Sequence, residues 1–238
     1  MKTIVLTLLF ASIALPQAKT GAASKSGAAS KSGAAGARPS LLNPASLRAK
    51  APDVYKAQFT TTKGDFVIEV HRDWAPLGAD RFYNLVKNGF YDDVYFFRTM
   101  PNFMVQFGMS GNPKIEAAWG HANIKDDRSN QSNKRGTISY ASAGPGTRTT
   151  QVFINFKNNT SLDTDYPPFG EVVEGMDVID KIYGGYGDTA EGGGHGPSVQ
   201  KIATEGNPYL AKYFPQLDKI KTAKILPATP AAAPDAKK

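Results

Sequence analysis

The chain has 238 residues, 41% of them apolar, a net charge of +7 and no cysteine, which is enough length for one sizeable domain with appendages. The charge is uneven: residues 1–50 carry +7, residues 51–205 carry −4 and residues 206–238 carry +4. A mildly acidic middle argues against a nucleic-acid-binding core, and the lack of Cys excludes disulfides, zinc–thiolate sites and thiol nucleophiles.

Lys2, the apolar run 3–15 and Leu15-Pro16-Gln17-Ala18 read as a secretory signal peptide, residues 1–18, cleaved after Ala18. The run is shorter than the roughly 20 residues a membrane span needs. Export to a periplasmic or secreted destination is therefore expected, with no span left after cleavage. Residues 21–38 repeat with period six: GAASKS twice, then GAAGAR. Small side chains bury too little surface to offset ordering entropy, so residues 19–53 read as a flexible linker, punctuated by Pro39, Pro44 and Pro52.

Order is expected from residue 54 to residue 205. Runs 55–61 and 65–71 flank Thr62-Lys63-Gly64 as a β-hairpin. Pro76 opens a helix in which Ala79, Phe82, Tyr83 and Val86 fall at i, i+3, i+4 and i+7, and Gly89 ends it. Residues 96–100 and 103–107 read as strands about a Pro101-Asn102 turn. Residues two apart on a strand share a face, so Met104 and Gln106 point one way and Phe103, Val105 and Phe107 the other, barring a bulge. This hairpin sets Arg98 and Gln106 beside large apolar side chains. It reads either as a shallow apolar pocket with a guanidinium at its rim or as an ordinary hairpin with a snorkelling surface Arg.

Residues 108–136 are polar and poorly periodic, a long loop. Strands are expected over 137–141, 151–155 and 169–173, and a short helix over 175–183. A Gly-rich tract spans 184–196, and residues 199–204 read as a strand closing the sheet. Residues 209–225 read as an amphipathic helix broken at Pro215, within a partly helical extension 206–238 that ends in an Ala/Pro tail. Many short strands and two helices suggest a barrel rather than a doubly wound sheet.

Other chemistries find little support. His71, His121 and His195 lack ligand spacing. Ser139 and Ser142 lie on no G-x-S-x-G elbow. The Gly-rich tracts lack the G-K-[ST] ending of a phosphate loop and read as turns. Asp126, Asp127, Asp163 and Asp165 form no calcium-loop pattern and read as solvated loop residues. What remains is the pocket stretch, the small residues Ala141-Ser142-Ala143, the amide and ring of Gln151 and Phe153, and the apolar Leu162, Tyr166 and Phe169. These are parts for holding a peptide that carries a small ring.

Those residues carry a family resemblance. Phe97-Arg98 with residues 101–108, then Ser139-Tyr140-Ala141-Ser142-Ala143-Gly144-Pro145, Gln151-Val152-Phe153-Ile154 and residues 169–176 resemble, in order, the sequence blocks of the cyclophilins. The likeness runs from about residue 55 to residue 205. It implies a peptidyl-prolyl cis–trans isomerase on a closed eight-stranded antiparallel β-barrel capped by two α-helices. It also implies that Arg98 is the catalytic arginine, that Phe103, Met104, Phe153 and Leu162 form the proline pocket with Tyr166 as a wall, and that Gln106, Gln151 and the backbone of Ala141, Ser142 and Ala143 hold the peptide. The departures are Phe97 where many members have His, Ser142 where Asn is frequent, Tyr166 where many have His, and Ser161 where cyclosporin-sensitive members have Trp.

The chemistry suits the residues. A peptide bond resists rotation by ~18–20 kcal/mol because the nitrogen lone pair is delocalised. Twisting localises that pair, and a donor aimed at the nitrogen then binds the twisted state better than either planar state. Arg cannot lose its proton and presents a fixed fork. A gain of ~10⁵ needs only about 7 kcal/mol. No metal or cofactor is called for. The expected partners are proline-containing peptides and folding proteins, not nucleic acid, met by a monomer. The rival reading is a non-catalytic proline-peptide-binding module on the same scaffold.

Overall fold

A computed structural model describes residues 39–227. The signal peptide and repeat tract read from the sequence, and the end of the Ala/Pro tail, lie outside the described residues.

Nine strands are present among the described residues: β1 (Val54–Thr61), β2 (Asp65–His71), β3 (Val94–Tyr95), β4 (Arg98–Met100), β5 (Met104–Phe107), β6 (Thr137–Tyr140), β7 (Val152–Asn155), β8 (Pro168–Glu174) and β9 (Lys219–Ile225). The helices are α1 (Pro76–Lys87), α2 (Pro113–Trp119), α3 (Met176–Asp180), α4 (Val199–Glu205) and α5 (Asn207–Tyr213). All strand pairs are antiparallel, and the single sheet runs β3-β9-β1-β2-β8-β6-β7-β5-β4. It curls into a half-barrel. The closed eight-stranded barrel with two capping helices expected from the sequence is thus corrected to an open, nine-stranded, curled sheet with five α-helices among the described residues. The reason lies in its ends. The terminal strands β3 and β4 are consecutive in the chain, separated only by Phe96 and Phe97. They do not pair with each other, so a short piece of chain, not a hydrogen-bonded ladder, joins the sheet's two edges.

The alternation of β1 and β2 builds the core. Phe59 and Phe66, directly opposed in the register, stack at 4.9 Å and are fully buried. Each ring of that kind contributes roughly 1.5–3 kcal/mol by leaving water. The apolar stripe of α1 lies against them: Phe82 sits 6.0 Å from Phe59 and 5.1 Å from Phe169 on β8. Pro76 starts α1, and Asp127 accepts the N–H groups of Leu77 (3.0 Å) and Gly78 (2.8 Å), which have no partner within the helix. The Asp127 side chain is buried and pairs with Arg148 at 3.0 Å, so this acid, read as a solvated loop residue, ties the long loop to the first turn of α1.

Several expectations change. The loop over 108–136 contains α2, started by Asn112, whose side chain accepts from Lys114 N, and Pro113. Residues 199–204 form α4, not a closing strand. Ser198 caps it, and Val199 and Ile202, one turn apart, are buried on one face. The edge beside β1 is instead taken by β9, in a stretch read as helical. Residues 39–53 are not a free linker. Two 3-10 turns place Leu41 in the core with its carbonyl accepting from Trp119 Nε1 (2.9 Å), and Ala51 N donates to Asp80 Oδ1 (2.8 Å).

Candidate active site

Three strands assemble the site as one row across the sheet. Arg98 on β4 stands opposite Gln106 on β5, and Gln106 stands opposite Phe153 on β7. With a period of two, Val105 and Phe107 enter the core while Met104 and Gln106 line a depression on the opposite face. Phe103 departs from the alternation read in the sequence. It lies just before β5, after Asn102, whose φ of 61° is a left-handed turn conformation that Asn tolerates. The turn brings Phe103 to the same depression as Met104. That depression is lined by Arg98, Phe103, Met104, Gln106, Phe153, Leu162 and Tyr166, all seven anticipated from the sequence. Phe153 and Tyr166 meet edge to face at 5.7 Å, and Ala141 packs beside them.

The rim is polar and pre-aligned. Arg98 is only 7% exposed. Its Nη1 donates to Gln106 Oε1 (3.1 Å), and Gln106 Nε2 donates to Gln151 Oε1 (2.9 Å). Its Nε and Nη2 donate to the two carboxylate oxygens of Asp188 at 2.6 and 3.3 Å. A guanidinium has five N–H bonds. Three are engaged here, leaving one on each terminal nitrogen. Gln151 thus contributes from beside the pocket rather than from its lining. Ala141 N donates to Gln151 O (3.0 Å) and Ala143 N to Thr147 Oγ1 (2.8 Å). A peptide lying along residues 141–143 would therefore use their carbonyls or the Ser142 N–H. Burial pushes the Tyr166 phenol above its usual range, and the neighbouring Ser142 side chain works in the opposite sense.

Side chains the sequence reading passed over hold the apolar wall. Asn159 Nδ2 donates to Phe103 O (2.8 Å) and to Asn155 Oδ1 (2.8 Å). Asn133 donates to Asp163 Oδ1 from its backbone (2.7 Å) and to Tyr166 O from Nδ2 (3.0 Å). Asp163, read as loop solvation, thereby fixes the 3-10 turn Thr160–Leu162 that presents Leu162. Burial works against its charge, but the donors Asn133 and Ser132 outweigh it and hold the carboxyl below the usual range. Asp188 was also missed, because an acid among glycines shows no partner in sequence.

Residues 56–202 match the family model described as cyclophilin type peptidyl-prolyl cis-trans isomerase/CLD. A peptidyl-prolyl cis-trans isomerase of Acinetobacter baylyi is 41% identical over 133 residues, covering 52% of this chain and 70% of that protein. One of Arabidopsis thaliana is 38% identical over 126 residues, covering 51% of this chain and 21% of that protein. Among solved structures, a cyclophilin type peptidyl-prolyl cis-trans isomerase of Cryptosporidium parvum aligns at a TM-score of 0.55 and 20% identity, covering 74% of this chain and 99% of that one. The same protein, solved in the presence of the dipeptide Ala-Pro, aligns at 0.53 with 20% identity, covering 72% of this chain and 99% of that one. At that identity the structural likeness concerns the fold.

Proposed function

Because this chain belongs to the cyclophilin-type peptidyl-prolyl cis-trans isomerase family, we propose that the depression beside Arg98 is where an Xaa-Pro bond is turned, in exported proteins that are folding. The observation that carries the reading is a buried guanidinium held by Gln106 and Asp188 at the edge of an apolar depression, with one N–H left on each terminal nitrogen.

In this reading the proline ring rests on Phe103, Met104, Phe153 and Leu162, with Tyr166 as the far wall. The flanking peptide runs past Gln106 and Gln151 and along residues 141–143. Seating the ring excludes water from the imide bond, and the Arg98 donors face the imide nitrogen as its lone pair localises in the twisted state. That interaction is weak in either planar state, because there the lone pair is delocalised, so it lowers the barrier more than it favours binding. The low exposure of Arg98 strengthens it, since fewer waters compete for the charge. Export is supported by Lys2, the apolar run 3–15 and Ala18; mass measurement of the exported protein should find residues 1–18 removed.

The test is catalysis of Xaa-Pro isomerisation in a short peptide by the full chain and by Arg98→Ala. The variant should lose at least about 10²-fold, roughly 2.7 kcal/mol of barrier lowering, while keeping most peptide affinity. Arg98→Lys should lose most of the same activity, because a point charge on a flexible stem does not reproduce the fork. An Arg98→Ala rate close to wild type would leave the site as a peptide-binding module without catalysis.

A further inference from the structure

We propose that Asp188 is the positioning residue for Arg98, and that the segment after β8, residues 184–217, exists in part to hold that carboxylate against the guanidinium. The inference rests on the reading of Arg98 given above. Asp188 lies 90 residues from Arg98 in the chain, yet takes its Nε and Nη2 in a two-pronged pair. Gln106 takes one N–H of Nη1 from another direction. Two partners from different elements fix both the plane and the rotation of the fork, which one acceptor would not do. They leave one N–H on each terminal nitrogen for a ligand. A guanidinium this buried requires a counter-charge or complete hydrogen bonding to stay in place.

The loop carrying Asp188 is built around it. Gly196 N donates to the Asp188 carbonyl (2.8 Å), and Thr189 N donates to its Oδ1 (2.8 Å). A Cβ on Gly192 would fall 2.6 Å from the Asp188 carboxyl, and one on Gly194 would fall 2.3 Å from its carbonyl oxygen, so side chains at these two positions would displace the acid. Glu191 anchors the loop to the start of α4 by accepting from Ser198 Oγ (2.6 Å) and Val199 N (3.0 Å). Burial works against its charge, but these donors outweigh it and hold the carboxyl below the usual range. Ser198 N donates in turn to the Tyr209 hydroxyl of α5 (3.1 Å). Val199 and Ile202 of α4 and Tyr209 and Leu210 of α5 close a second apolar cluster onto Phe97, the residue next to Arg98. One short piece of chain thus meets the C-terminal helices through Phe97 and their loop through Arg98. That gives the Phe at position 97 a role an imidazole would fill less well, as an apolar seat for those helices.

The experiment uses the full chain with Asp188→Asn, Asp188→Ala and Arg98→Ala, measuring kcat and KM separately on an Xaa-Pro peptide. Nitrogen-15 spectra report the Arg98 Nε–H, assigned by its loss in Arg98→Ala. Both Asp188 variants should lower kcat about tenfold with KM within about twofold, because a misaimed donor loses transition-state contact while the apolar pocket still binds. The Arg98 Nε–H should exchange slowly in the wild-type protein and should shift and exchange faster in Asp188→Asn. A kcat within about twofold of wild type in both Asp188 variants, or a loss falling only on KM, overturns the inference. So does fast exchange of the Arg98 Nε–H in the wild type, a readout that does not require either Asp188 variant to fold. An active Arg98→Ala overturns the underlying reading of Arg98 as well. An inactive Arg98→Ala beside fully active Asp188 variants overturns the positioning role alone.

Discussion

Glu116 should make this protein less stable as the pH rises through neutrality. Its carboxyl lies on α2, buried, accepting from Ser110 N at 2.6 Å. Burial disfavours the charge and outweighs that hydrogen bond, pushing the group from 4.5 to about 7. A folded-state value above the unfolded one means that the folded protein binds the proton more tightly. The resulting stabilisation is full below pH 4.5 and is lost as pH climbs through 7. The separation of about 2.5 between the two values corresponds to roughly 3 kcal/mol, of which about 2 to 3 is lost between pH 5 and pH 8. Glu116→Gln removes the titration while retaining an oxygen for Ser110 N. The added NH₂ shifts stability by an amount that does not vary with pH, so the informative quantity is the difference in slope. Urea unfolding of both proteins at half-unit intervals from pH 5 to pH 8 should show the variant gaining about 2 to 3 kcal/mol relative to wild type across that range. A mutant-minus-wild-type difference that stays flat with pH would refute the reasoning and place Glu116 in a solvated or charge-paired environment.

Phe103→Ala should weaken peptide binding by tenfold or more, about 1.4 kcal/mol, with a smaller change in kcat than Arg98→Ala, since it removes the pocket floor and not the donor; titration calorimetry and kinetics on one peptide separate the two. Asn159→Ala frees the Phe103 carbonyl and Asn155 Oδ1 from a buried donor and should cost about 1–3 kcal/mol of stability, measured by urea unfolding, together with a raised KM. Ser161 is exposed on the 3-10 turn at the pocket edge, so cyclosporin should bind weakly and Ser161→Trp should tighten it. Nanomolar inhibition of the unmodified protein in a titration would refute that.

The candidate site's geometry was legible where it is local. Arg98 and Gln106, eight apart about Pro101-Asn102, already imply opposed positions on a hairpin. The small residues at 141–143 and the ring at 153 belong to short runs whose type is plain. Position 103 was ambiguous because the alternation depends on where the turn ends, and the left-handed Asn102 decides that. β9 looked helical for a definite reason. A register shift between Thr60 and Thr61 puts Ile220 and Ala223, three apart, both inward, which mimics a helix period within a strand. Residues 199–204 failed in the opposite sense: six residues with Val199, Ile202 and Ala203 as their apolar members are too short for periodicity to separate strand from helix, and the cap at Ser198 with packing on Phe97 settles it.

The sequence by itself determined which residue types were present and which lay close along the chain: a permanent cation, an amide beside it, a hairpin to oppose them, and aromatic rings in strands. It also determined that one face of β2 would be apolar, with Phe66, Ile68 and Val70 alternating along it, because side-chain period is a local property. Only the tertiary structure decided that β7 lies beside β5, that Asp188 reaches Arg98 across 90 residues, and that residues 39–53 pack onto the domain instead of trailing from it. Those outcomes depend on contacts between segments distant in sequence, whose strength comes from mutual burial and charge pairing. No single segment carries a record of its partner.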